Sequence, residues 1–244
     1  MLDIFAIQVV SAFLAVVLIA RFLWSLLFAR FIGEGLGSVK ASKPTGFILN
    51  QFFGFLVIWL PFIFLLLGAV IPSWVYGTLL NLSFNDVEYL QAVSVPLFLI
   101  GALLAGGSES AMRQFMRPSV EVREKHELVT RGPYSHIRHP LYTSIILMTL
   151  APSLLLLHIV LVIGFLGCLC IVYRRAVLEE ELLASEDGFG QAYRDYMQKT
   201  GRFLPKLTLS ALYCGRERWK LSHTRCKSKK RRDFWEKWSP HHNS

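Results

Sequence analysis

Long apolar runs alternate with polar segments along the whole chain. The runs cover residues 4–28, about 47–71, about 89–106 and 141–173. A helix needs about 20 apolar residues to cross the hydrocarbon core of a bilayer, so the first three runs predict one membrane span each. The fourth is too long for a single span, and Pro152-Ser153 predicts a break within it, giving a hairpin with a short first arm. The pattern therefore predicts an all-α integral membrane bundle of about five helices, the last two forming a tight hairpin, with a cytoplasmic C-terminal helical region.

Punctuating residues set the expected ends of these spans. Pro72 is expected to end the second span, and Gly106-Gly107 to end the third, which Pro96 interrupts. Arg21, near one end of the first span, is expected to extend its charged group toward the membrane surface. The sequence therefore divides into three regions: 1–106, with three spans; 107–206, with the hairpin and the polar clusters; and 207–244, a basic, Trp-containing tail. We predict that this tail is disordered or lies on the membrane surface.

Charge predicts the orientation of the bundle. The formal net charge is +9, and segments 30–46, 107–140 and 174–244 hold 25 of the 26 Lys and Arg residues. Because cytoplasmic loops are enriched in these residues, the N-terminus is expected outside and the C-terminus in the cytoplasm, in the endoplasmic reticulum of a eukaryote or the inner membrane of a bacterium. The basic tail is expected to bind anionic lipid headgroups rather than nucleic acid. Segments 107–140 and 174–244 then share one side and can form one site.

The first polar cluster, residues 126–142, is rich in His, Arg and Tyr and lies directly before an apolar run. Gly132-Pro133 predicts a turn. Pro140 suits the first position of the following helix, where a missing N–H costs nothing, and His139 would then be the cap beside the positive end of the helix dipole. Backbone amides, guanidinium groups and imidazole in this arrangement predict an anion-binding site.

The second polar cluster follows the last apolar run. Arg175 and Glu179 are four residues apart and share a helix face, and Glu180 follows directly. Further on, Tyr193 and Tyr196 lie on one face of a predicted helix and are expected to pack against the membrane-proximal core. The four cysteines show no metal-ligand or disulfide spacing, so no metal is expected.

Together these clusters resemble the isoprenylcysteine carboxyl methyltransferase family, which belongs with the phospholipid methyltransferases. The resembling pattern is His-x-Leu-Val-Thr-x-Gly-x-Tyr-x-x-x-Arg-His-Pro-x-Tyr at 126–142, then the hairpin, Glu-Glu, Phe-Gly-x-x-Tyr-x-x-Tyr and a final Pro. The likeness covers about 120–206. It implies an integral membrane enzyme that uses S-adenosylmethionine, with 107–206 as its methyltransferase core.

The resemblance also implies roles for individual residues. Arg175 would face the acceptor, and Glu179 would contact the cofactor, with Glu180 as the alternative and both glutamates in the catalytic set. The residues expected to enclose S-adenosylmethionine are His126, Glu127, Leu128, Val129, Tyr134, Arg138, His139, Pro140, Leu141, Tyr142 and Glu179.

Several functions stay open at this point. The favoured reaction is carboxyl methylation of a prenylated cysteine or another lipophilic acceptor; phospholipid N-methylation and small-thiol S-methylation are the alternatives. Membrane sterol reductases carry a similar Arg-His-Pro-x-Tyr box but bind NADPH, and Leu141 and Thr143-Ser144 do not fit their pattern. A non-catalytic anchor with a recruiting basic tail is the last alternative. A soluble Rossmann methyltransferase is disfavoured, because no Gly-x-Gly-x-x-Gly follows a predicted strand.

Overall fold

A computed structural model describes residues 3–29, 38–42, 54–77, 79–82, 87–112, 121–123 and 127–206. Residues up to Pro205 belong to one compact unit; the other, Lys206–Ser244, lies outside the described residues except for Lys206. The helices are α1 (Ile4–Ala29), α2 (Leu60–Val70), α3 (Pro72–Tyr76), α4 (Val87–Met112), α5 (Pro140–Leu156), α6 (Ile159–Leu183) and α7 (Gln191–Lys199), with a π-helical turn at Phe55–Trp59 and a 3-10 turn at Gly132–Ser135.

The predicted all-α membrane bundle is confirmed. Three helices are long and apolar enough to cross a membrane, namely most of α1, all of α4 and all of α6, while α2 and α5 are apolar but shorter. In the described part of the chain, the only sheet is an antiparallel ribbon of β1 (Val39–Ser42) and β2 (Glu121–Arg123). The described part of the chain therefore has the composition of an integral membrane protein, with five apolar helices.

Helix α4 does not end at Gly106-Gly107, so that prediction was wrong. The helix continues to Met112. A helical glycine costs only about 1 kcal/mol, which tertiary packing offsets. Gly107 lies against Pro133, so that a Cβ there would come within 3.3 Å of the Pro133 ring, and Ser108 Oγ donates to the helix's own Leu104 carbonyl. The last turns of α4 persist because they support the segment that follows.

The predicted hairpin is formed by α5 and α6, but its turn is not at Pro152-Ser153. Helix α5 runs through Pro152 to Leu156, and the chain reverses at Leu157, which has φ 49°. His158 then caps α6, its Nδ1 accepting from the Val160 amide at 3.3 Å. Membrane helices tolerate an internal proline where neighbouring groups satisfy the backbone. The proline alone was therefore an unreliable marker of the turn.

At the C-terminal end of α5, backbone carbonyls accept hydrogen bonds from side chains that lie earlier in the chain. The Leu155 carbonyl accepts from Gln91 Nε2 at 2.9 Å and from the Tyr76 hydroxyl at 3.2 Å, and the Leu156 carbonyl accepts from Asn81 Nδ2 at 2.9 Å. With 17 residues, α5 is about 26 Å long, shorter than a bilayer core of about 30 Å. Unsatisfied carbonyls at that depth are costly, so the protein itself supplies the donors.

Close contact between α4 and α5 fixes where the other end of α5 lies. A Cβ at Gly101 would come within 2.8 Å of Met148 Cγ and 3.1 Å of the Ser144 carbonyl oxygen. Small residues allow membrane helices to approach in this way. Around this contact, the buried core includes Ile7, Leu14, Leu65, Phe98, Ala151 and Leu155. The first turn of α5 is consequently held near the last turns of α4.

We expect Gly101→Ala to destabilise the protein by about 1–3 kcal/mol, because the added methyl group overpacks the α4–α5 contact. Gly106→Ala is the matched control on the same helix, since a Cβ there meets nothing within 4 Å. Its helix propensity should make it neutral or stabilising by about 0.5–1 kcal/mol. Thermal unfolding in detergent checks both variants; equal melting temperatures would contradict the packing described.

Candidate active site

The local geometry around the start of α5 matches the sequence prediction. Gly132 has φ 60° and opens the 3-10 turn, whose second residue is Pro133. Pro140 is the first residue of α5, and His139 is its N-cap, with φ −122° and ψ 60°. The first amides of a helix have no partners within it, so this end carries partial positive charge. The turn and the cap together aim the beginning of α5 into the site.

Residues 200–203, here called the C-terminal strap, run alongside the segment before α5. The Arg138 amide donates to the Gly201 carbonyl at 2.8 Å, and the His139 amide donates to the Arg202 carbonyl at 3.1 Å. These bonds continue a short parallel bridge that begins one residue earlier. These hydrogen bonds from the strap fix the backbone of the N-cap residue and of the residue before it.

Glu180 is buried among cationic groups from two other segments of the chain. Its Oε1 accepts from Arg138 Nε at 2.8 Å, and its Oε2 accepts from Arg202 Nη2 at 2.6 Å. His139 Nε2 lies 3.3 Å from Oε1, without hydrogen-bond geometry. The Arg202 guanidinium also lies over the Tyr173 ring, 5.2 Å from its centroid. Glu180 thus joins α6, the N-cap segment and the strap, and its acceptor capacity is taken up by the protein.

Glu179, the preceding residue, has a different environment. Its side chain is 25% exposed, it accepts a hydrogen bond from the Tyr142 hydroxyl, and its Oε2 lies 3.4 Å from His139 Nδ1. Arg175, one turn earlier on α6, is buried and is a second hydrogen-bonding neighbour of Tyr142. Glu179 is therefore the glutamate of the pair whose carboxylate is held in place and still reachable from outside.

His139 lies between the two carboxylates. Burial lowers its pKa, but the nearby carboxylates of Glu179 and Glu180 raise it by more, so the net pKa lies above its usual value. The imidazole also stacks on the Tyr142 ring, with centroids 5.5 Å apart and planes 19° from parallel. This geometry favours a protonated His139 that holds the carboxylates in position.

Tyr134 lies between α4 and α7. It is buried, and its hydroxyl donates to Met112 Sδ at 3.2 Å. Its carbonyl accepts from the hydroxyl of Tyr196, which is itself buried as predicted. Burial, followed by the charge of Glu179, raises the pKa of Tyr134, so its phenol stays neutral. Tyr196 thus does more than pack: it fixes the turn that carries Tyr134.

The remaining predicted residues are distributed around this cluster. Pro140 is buried, and Leu141, Leu128 and Val129 are half-buried. Glu127 is exposed. His126 lies outside the described residues. The residues that the fold brings together are Arg138, His139, Tyr142, Arg175, Glu179 and Glu180.

Sequence reasoning missed Arg202 and the strap. The sequence analysis assigned no role to Arg202, yet it makes two-pronged contact with Glu180. One signal was present: three consecutive glutamates at 179–181 follow an apolar helix, and any one of them that is buried needs a cationic partner. Which cation supplies it depends on a chain reversal that spacing does not encode.

The raised pKa of His139 gives a testable pH dependence. A group whose folded pKa is raised stabilises fully below its unfolded pKa, 6.5 here, and that stabilisation is lost as pH rises through the folded pKa. Wild type should therefore be more stable than His139→Gln at pH 6. The difference should shrink as pH rises above 6.5 and be lost once pH exceeds the raised pKa. Melting temperatures of both proteins from pH 6 to 9 test this. A constant difference would mean that folding does not raise the pKa of His139.

Comparisons with known proteins found similarity over part of the chain. The family model described as "Isoprenylcysteine carboxyl methyltransferase (ICMT) family" matches residues 95–185. The chain is similar to protein-S-isoprenylcysteine O-methyltransferase of Tribolium castaneum, with 26% identity over 148 residues, 56% of this chain and 50% of that protein. The chain thus spans about half the length of this curated relative.

A solved structure is also similar, the eukaryotic intramembrane Ras methyltransferase ICMT. The TM-score is 0.47 and the identity 20%, over 69% of this chain and 70% of the other. The family match over 95–185 contains much of α4, the 126–142 cluster, the hairpin and both site glutamates. The match to this family therefore covers the part of the chain that carries the candidate site, and residues 95–185 are similar to the isoprenylcysteine carboxyl methyltransferase family.

Proposed function

We propose that this chain is an S-adenosylmethionine-dependent methyltransferase that acts on a lipophilic acceptor, with residues 107–206 as its core. The observation that carries the proposal is the Glu179 carboxylate, held by Tyr142 and near His139 yet still partly exposed. A fixed carboxylate that is still accessible suits a cationic or hydroxyl-bearing ligand. The match of residues 95–185 to the family model supports the same conclusion.

The residues present fit the chemical groups of S-adenosylmethionine. Glu179 suits the ammonium or the ribose hydroxyls. The N-terminus of α5 at Pro140 suits the carboxylate, since helix N-termini bind anions. The Tyr142 ring suits the sulfonium, and half-buried Leu128 and Val129 suit the flat adenine. Arg138 and Glu180 contribute by fixing His139 rather than by offering free groups.

The cofactor supplies an electrophilic methyl group, so the chain's own residues need only position the acceptor and exclude water. A carboxylate or thiolate acceptor needs no base, whereas an amine must lose a proton. Arg175 is buried and lies one turn before Glu179, and a guanidinium suits a carboxylate acceptor. We therefore favour carboxyl methylation, with a prenylated cysteine as acceptor, over phospholipid N-methylation and thiol S-methylation.

The proposed orientation has the N-terminus outside and the C-terminus in the cytoplasm. It rests on the distribution of Lys and Arg along the chain. The apolar part of the acceptor would then reach the site from the bilayer, while its polar end meets the cofactor from the cytoplasm. The basic tail, residues 207–244, lies outside the described residues, and its binding to anionic headgroups stays a prediction.

Glu179→Gln should weaken S-adenosylmethionine binding by about ten- to a hundredfold, the loss expected for one hydrogen bond to a charged group. Glu181→Gln is the matched control, because Glu181 is an exposed neighbour on the same helix. Equilibrium binding of S-adenosylmethionine, and in parallel of NADPH, to each purified protein in detergent measures this affinity. Unchanged affinity of Glu179→Gln, or binding of NADPH instead, would contradict the proposal.

Arg175→Ala should raise KM for a carboxylate acceptor by about tenfold or more, because a charged hydrogen bond is lost, while the Kd for S-adenosylmethionine changes less. Arg174→Ala is the control, since Arg174 is exposed. Methyl transfer to prenylcysteine, phosphatidylethanolamine and a small thiol is measured with each protein. Equal losses for all three acceptors would mean that Arg175 does not recognise the carboxylate.

A further inference from the structure

Arg21 forms a buried ion pair that the sequence did not predict. It was expected to reach the membrane surface; instead its Nη2 contacts Glu109 Oε1, joining α1 to α4. The side chain of Arg21 is 14% exposed and that of Glu109 is 2% exposed. Charges within membrane helices are costly and are retained where they pair or serve a function. Because both side chains are buried within the protein, contact with lipid headgroups does not explain why this ion pair is present.

The end of α4 that carries Glu109 is the platform for the turn bearing Tyr134. Met112 lies three residues after Glu109 on the same helix face, and its Sδ accepts a hydrogen bond from the Tyr134 hydroxyl at 3.2 Å. Gly107 lies against Pro133, the residue before Tyr134. The rotation and tilt of the last turns of α4 therefore decide where this tyrosine lies.

Glu109 also acts on Tyr134 through its charge. Burial is the largest cause of the raised pKa of Tyr134, and the carboxylates of Glu179 and, more weakly, Glu109 add to it. Tyr134 therefore lies within electrostatic reach of carboxylates from α4 and α6. Arg21 neutralises the α4 carboxylate, so that Glu179 remains the carboxylate of this group that is open to a cationic ligand.

We propose that the Arg21–Glu109 pair is a positioning device for Tyr134: α1 holds the end of α4 in the one rotation that presents this tyrosine to the cofactor site. The inference rests on the proposed function. It brings α1, which lies outside the region matched by the family, into the operation of the site. A hydrogen-bonded ion pair suits this role better than apolar packing, because a hydrogen bond weakens steeply when its angle is distorted whereas apolar packing is non-directional.

The test compares Glu109→Gln with Gln91→Leu. Gln91 lies on the same helix but binds the Leu155 carbonyl at the far end, so its loss destabilises α4 without touching the platform. Three quantities are measured: the melting temperature, the hydrogen exchange of residues 131–137, and the Kd for S-adenosylmethionine. The amides of His136 and Ile137, which donate to the Pro133 carbonyl, report directly on the turn.

Glu109→Gln should speed exchange in residues 131–137 and weaken S-adenosylmethionine binding by about ten- to a hundredfold, the cost of misplacing a positioning group. Gln91→Leu should lower the melting temperature with neither effect. The double variant Arg21→Met with Glu109→Met replaces the ion pair by an apolar contact, and it serves as the test if Glu109→Gln does not fold. It should restore the melting temperature but not the exchange protection or the affinity.

Recovery of exchange protection and affinity in the double variant would overturn the inference, since packing alone would then suffice. The same holds if Glu109→Gln leaves exchange at 131–137 unchanged. A third outcome is that Glu109→Gln speeds exchange but the wild-type protein binds no S-adenosylmethionine. That outcome would reject the proposed function while supporting the positioning of Tyr134. The exchange measurement needs no ligand, so the two failures can be told apart.

Discussion

Burial of the Glu180 carboxylate is the constraint on which the site depends. An ion taken out of water costs several kcal/mol unless partners replace its hydration. Here the partners are Arg138, from the segment before α5, and Arg202, from the C-terminal strap. Neither arginine is on the helix that carries Glu180. Three distant segments must therefore meet before the carboxylate can be buried, and His139 and Tyr142 take their positions from that meeting.

Two adjacent glutamates divide two tasks between them. Consecutive residues on a helix point about 100° apart, so Glu179 and Glu180 face different surroundings. Glu180 faces the arginines and holds the fold together, while Glu179 faces Tyr142 and remains partly exposed. One turn of α6 thus provides both the anchor of the site and its reachable carboxylate, and a shift of α6 along its axis would disturb both at once.

Much of the fold was predictable because membrane helices are encoded by local composition. The apolar runs located the helices, and Gly132 and Pro140 located the turn and the start of α5. Predictions failed where tertiary contacts outweighed local preference: α4 continues through its glycine pair, and α5 continues through Pro152. Pattern also named most of the clustered residues. It did not identify Arg202, and it did not separate the two glutamates, because both depend on packing between segments remote in sequence.

The reach of these contacts along the chain has a consequence for biosynthesis. The carbonyls at the far end of α5 receive their donors from Tyr76, Asn81 and Gln91, all made before α5 emerges from the ribosome. That end of the hairpin can be completed on insertion. Glu180, in contrast, waits for Arg202, which is synthesised 22 residues later. A ribosome that has released Glu180 but not yet Arg202 therefore holds a chain whose hairpin is already in place and whose site has not yet closed.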